Sequence, residues 1–169
     1  MRRAGVAWAA GPRARGRAVR MHLEQTVHIN RPAAEVFDFL LDLGNHPRVA
    51  RGIKAVRGVE DGPLALGRRY HQTSMFLGQT VEVTVEVISC EAGRELALKA
   101  VSGLVPITRT FRLEPSEAAT DLTLSVDAEP GKGLRLMMPM VERTAREQIA
   151  TTLERLKAVL EAEGAQQPA

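Results

Sequence analysis

Residues 138–160 carry one apolar stripe at helical period, and this feature limits the fold more than any other. Met138, Val141, Ala145, Ile149, Thr152, Leu156 and Leu160 recur three or four positions apart, the spacing that lines one face of an α-helix. The pattern predicts a helix of about eight turns at ~3.6 residues per turn. Glu142 with Arg146 and Arg143 with Glu147 fall on its wet side as i,i+4 pairs. Pro139 inside the pattern predicts kinked or irregular first turns. Gly164 is expected to stop the helix, leaving 164–169 as a disordered tail.

Upstream, the period is two. His22–Asn30 alternates, and Arg31-Pro32 ends it; Pro32 suits a helix start, and Val36, Phe37, Leu40 and Leu41 follow at helical spacing. Asn45-His46-Pro47 begins a second short helical or turn segment. Strands are then expected over 53–59, 69–77, 79–89, 94–101, 107–113 and 120–128, with Gly, Pro and Asp between them. Val81, Val83, Val85 and Val87 all point one way from the third of these, which no helix could arrange. The order is strand, two short helices, six strands, one long helix. The fold class is therefore α+β: a curved seven-stranded antiparallel sheet wrapped around the C-terminal helix. A helix about 10 Å across is too slim to fill such a twisted trough. The hollow left over is the expected pocket.

Charge and composition remove several alternatives. The chain has 169 residues, a net charge of +3 and 4% aromatics. Residues 1–20 hold six arginines and no acid, which leaves 21–169 at about −3. The basic character belongs to a tail, expected to be a disordered extension or a stretch upstream of a true start at Met21; an organelle transit peptide is also compatible. With few rings and an acidic body, nucleic-acid binding is not expected. Cys90 is the only cysteine, so no intrachain disulfide or thiolate cluster can form, and a reducing cytoplasm fits. No apolar run approaches the ~20 residues of a membrane span. His22, His28, His46 and His71 are dispersed without zinc-ligand spacing, and no metal or cofactor is expected. Gly131-Lys132-Gly133 is too short for a phosphate loop and is expected to be a hinge. Homodimerisation is left open.

The run from Ile29 to Leu40 (INRPAAEVFDFL), then Asn45-His46-Pro47-Arg48, Gly67, Leu77-Gly78, Thr120 and the helix end from Leu153 to Glu161 carry a resemblance. The chain resembles the START-like, or Bet v 1-like (SRPBCC), helix-grip superfamily, and within it the polyketide cyclase/dehydrase and lipid-transport group. Nearly all of residues 21–163 are covered. The resemblance implies a pocket for lipids, quinones or polyketides, and in a minority of members cyclisation or dehydration. Members often carry tryptophan directly after the stretch matching Asn45–Arg48; here it is Val49, which puts the packing of the pocket entrance in doubt.

Face parity picks out the residues expected to line the pocket: Tyr70, Gln72, Ser74, Phe76, Val83, Val85, Leu98, Arg109 and Phe111 from the sheet, and Met137, Met138 and Val141 from the helix start. Arg109 shares a face with Phe111 and Leu113. A guanidinium aimed into an apolar trough is costly unless paired or meeting an anionic or carbonyl ligand; the alternative is a rim arginine that snorkels out. His71 is a weak candidate base, and more simply an exposed strand residue. The methionines form either a pliable wall or ordinary core. Three functions remain: a carrier of a hydrophobic small molecule, a cyclase/dehydratase using Arg109 and His71, and a regulatory module anchored to an anionic surface by its tail.

Overall fold

The computed structural model describes residues 20–58, 62–76, 78–103 and 105–165. The order is β1 (Met21–Ile29), α1 (Ala33–Leu41), a 3₁₀ turn (Leu43–Asn45), α2 (His46–Val49), β2 (Ile53–Gly58), β3 (Arg69–Phe76), β4 (Gln79–Glu91), β5 (Glu95–Ala100), β6 (Ile107–Ser116), β7 (Ala119–Ala128), a 3₁₀ stretch (Lys132–Met137) and α3 (Met138–Ala165). The seven strands form one antiparallel sheet in the order β1-β7-β6-β5-β4-β3-β2. This is the helix-grip architecture. Strands β2 to β7 form a meander of hairpin neighbours. β1 pairs with β7 at the far edge, so α1 and α2 carry the chain from one edge of the sheet to the other.

Register places the inward set on one face. Val85 is opposite Tyr70 and Val81 opposite Ser74, while Leu98 lies between Val87 and Arg109. Register shifts between Val87 and Ser89 on β4 and between Ile53 and Ala55 on β2 bend those strands and raise the local twist. The sheet curls, and α3 packs within it, chiefly against β1.

Burial changes along α3. Leu153, Leu156 and Leu160 in its C-terminal half are buried in the core with Ile29, Val36, Leu40 and Leu122. Met138, Val141 and Ala145 at the other end are only partly covered. The same stripe therefore closes a core at one end and borders open space at the other. Leu153 is 1% exposed, and Leu153→Ala is expected to cost about 2–5 kcal/mol through lost transfer energy and a residual void. Thermal unfolding followed by circular dichroism should show a Tm drop on the order of 10 °C; an unchanged Tm would mean this half of the helix is not gripped.

One expectation about α3 needs correction. Gly164 does not stop the helix, which continues to Ala165. A Cβ at this position would run into the Arg31 guanidinium, so the missing side chain serves close approach. Arg31 is tied to Glu35 by an ion pair, and its carbonyl accepts the Thr120 hydroxyl at 2.7 Å. Pro139 sits in the first turn of α3, where a missing N–H costs nothing, and the irregular backbone is the 3₁₀ stretch just before it. Of the segments expected to be disordered, 1–20 and 164–169, residues 1–19 and 166–169 lie outside the described residues. Arg20 is described, with its Nε 3.0 Å from Glu129.

Candidate ligand cavity

Between the concave face of the sheet, the α2–β2 corner and the N-terminal half of α3 lies a cavity of about 530 Å³. That is within the ~300–1,000 Å³ of small-molecule sites. Its lining is mostly hydrocarbon: Val81, Val83 and Val85 of β4, Phe111 of β6, Leu124 and Val126 of β7, and Met138, Val141, Ala145 and Ile149 of α3. Val49 is buried and also lines it. Gly103 has φ +109°, and a Cβ there would meet Val83 Cγ1 at 2.8 Å, so both its backbone and its position at the lining require glycine.

The polar groups on the lining form a set. Arg109 Nη2 donates to Gln72 Oε1 at 2.9 Å, and Gln72 Nε2 donates to Ser74 Oγ at 2.6 Å. Gln72 is buried and Arg109 half-buried. Beside them, His46 stands edge-on to Tyr70, ring centroids 6.1 Å apart. His46 Nε2 donates to Leu40 O at 2.9 Å, and Asn45 Nδ2 donates to Phe39 O at 3.1 Å. Together the two side chains satisfy carbonyls that the end of α1 leaves open. Arg48 reinforces the corner: it bonds Asn45 Oδ1 at 2.6 Å and Glu163 at 2.7 Å, and covers the Phe39 ring at 5.7 Å.

Burial drives the electrostatics. Desolvation, with a smaller push from Arg109, lowers the His46 pKa from 6.5 to about 4 despite its bond to Leu40. The ring is neutral at pH 7, with its proton on Nε2. Burial pushes the Tyr70 phenol up; the Arg109 guanidinium beside its hydroxyl opposes this through its charge and a hydrogen bond.

The sequence was compared with known families and folds. Residues 20–161 match the model of the family described as polyketide cyclase / dehydrase and lipid transport. The chain belongs to this family. Among solved structures, a protein of Thermus thermophilus superposes with TM-score 0.73 at 15% identity, covering 87% of this chain and 100% of that one. The Zhui aromatase/cyclase from a Streptomyces species gives 0.71 at 18% identity, covering 85% and 94%. A START superfamily protein from Mycobacterium smegmatis gives 0.67 at 18%, covering 83% and 97%. At these identities the likeness is one of fold. No curated protein matches the sequence.

In this polyketide cyclase/dehydrase-family chain, Gln72, Ser74, Phe76, Val83, Val85, Arg109, Phe111, Met138 and Val141 come together on the cavity. Four expected residues do not. Tyr70 and Leu98 point inward but are sealed within the core, because alternation sets the face of a strand residue and not its depth along the trough. Met137 lies in the 3₁₀ stretch, out of phase with the α3 stripe, and is 38% exposed. His71 is on the outer face, 3.4 Å from Thr84 Oγ1, one residue out of phase with Tyr70 and Gln72. His46 and the α3 residues Thr144, Gln148 and Thr152 also line the cavity without having been singled out. For the α3 trio the helical stripe was the available signal, since Thr152 was already on it. No helix of the described residues is long and apolar enough to cross a membrane.

Proposed function

We propose that this chain binds and carries a small hydrophobic molecule, of lipid, quinone or polyketide-like character, between its sheet and α3. The observation that carries this is the hydrocarbon-lined hollow of about 530 Å³ left where a slim helix half-fills a curled sheet. Non-directional burial of apolar ligand surface supplies the affinity, at roughly 25 cal/mol per Å² before ordering costs. The single cysteine supports placing this carrier in the reducing cytoplasm.

The enzymatic alternative, a cyclase or dehydratase, needs a base at the cavity. His71 is on the outer face, His46 is a weak base with its pKa lowered to about 4 by burial, and the one acid on the lining, Glu82, is exposed opposite Arg57 at 3.9 Å. The described residues favour carriage over catalysis.

Native mass spectrometry of protein purified without organic solvent tests the proposal. The expected spectrum contains a species heavier than the polypeptide, whose excess mass is released by denaturation and extracts into organic phase. A bare polypeptide mass, combined with no uptake from a panel of lipids, quinones and aromatic polyketides, would refute it.

A further inference from the structure

The polar set on the cavity wall is rich in donors and short of acceptors. Arg109 has five N–H donors and no acceptor; one goes to Gln72 Oε1 at 2.9 Å, and the Tyr70 hydroxyl oxygen lies beside another. Gln72 in turn gives its amide N–H to Ser74 Oγ at 2.6 Å, which leaves the Ser74 hydroxyl proton to donate onward. The Tyr70 hydroxyl is buried beside the guanidinium, and apart from that neighbour it has no hydrogen-bond partner.

Charge is out of balance in the same place. Among the described residues no carboxylate pairs with Arg109, and the groups it meets, Gln72 and the Tyr70 hydroxyl, are neutral. Glu82, the acid on the lining, is 76% exposed and faces Arg57 instead. Arg31, Arg48, Arg69 and Arg112 are matched to Glu35, Glu163, Glu86 and Glu95; among the described residues Arg51, Arg94 and Arg155 have no acid either, but only Arg109 stands on the cavity lining. A half-buried cation left against hydrocarbon loses solvation that only an opposing charge or strong acceptors restore.

We propose that the molecule taken up here is a monoanionic amphiphile: an apolar body that fills the hollow, ending in a carboxylate that seats on Arg109. One guanidinium balances one negative charge, and its planar fork matches the two oxygens of a carboxylate. The Ser74 hydroxyl is the remaining donor beside it, held through Gln72. This inference rests on the carrier function proposed above and assigns the chemistry of the ligand's polar end.

The test uses the neutral fluorophore N-phenyl-1-naphthylamine as a reporter of cavity occupancy, displaced in turn by dodecanoate and by dodecanol at about pH 7.5, where the acid is ionised. The two competitors share a chain and differ at the head. Dodecanoate is expected to displace the fluorophore at least about 30-fold more tightly than dodecanol, in the range of a charge-assisted contact removed from water. Arg109→Gln should bring the dodecanoate-to-dodecanol affinity ratio down to about one, and Arg109→Lys should keep part of the preference. Equal displacement by acid and alcohol in the wild-type protein overturns the anionic head while leaving the carrier function standing, and needs no variant to fold. Failure of the fluorophore to bind at all overturns both.

Discussion

Acidification from pH 7 to pH 4 is expected to cost the wild-type protein about 3 kcal/mol more folding stability than it costs a His46→Gln variant. His46 is buried at the joint of α1 and α2, and burial holds its folded pKa near 4, against an unfolded value of 6.5. Between those values the unfolded chain binds the extra proton and the folded chain does not. Stability from this group is therefore complete above pH 6.5 and is lost as pH falls toward 4. The glutamine variant starts from a lower stability, since it disturbs the bond to Leu40 O, but its curve should be flatter through this window. Urea unfolding at half-unit pH steps measures both slopes. Parallel curves would mean that His46 is solvated or already charged at neutral pH, and the sealed corner beside the cavity would be wrong.

The second large effect concerns the hollow itself. Thr152 lies on the α3 stripe and on the cavity lining. Thr152→Trp places an indole where the account puts open space. Overpacking a filled core costs typically about 1–3 kcal/mol; here the ring has room, so stability is expected to change by less than about 1 kcal/mol. Affinity for a neutral apolar fluorophore should fall at least about 100-fold, because the ring occupies the volume that gives the ligand its burial. Glu154→Trp, on the exposed side of the same helix, should leave affinity unchanged. A Thr152→Trp protein that unfolds more easily yet binds normally would show that the space at α3 is not where the ligand sits.

Much of the fold was legible because periodicity is a local property. The four valines of β4 and the apolar stripe of α3 each state their own face, and turn residues between runs set the antiparallel order. The architecture follows from those faces needing one another. The cavity was legible as a mismatch between a wide trough and a slim helix. What alternation does not encode is depth. Tyr70 and Gln72 share a face on β3, but His46 stands against the first and the hollow opens at the second. Nor does sequence spacing show what His46 does: its role depends on a carbonyl six residues back on α1 and on a guanidinium brought up by β6. Met137 and Met138 are adjacent in sequence and part company where the 3₁₀ turn hands over to α3, a boundary that hydrophobicity alone does not mark.

The most direct measurement is a titration of isotope-labelled protein with N-phenyl-1-naphthylamine, following backbone amide and methyl shifts. Saturable changes at Val83, Val126, Ala145 and Ile149, with the outer-face residues His71 and Thr84 unmoved, are the expected result. Shifts confined to the outer face, or none at saturating fluorophore, would contradict an apolar chamber enclosed by sheet and helix.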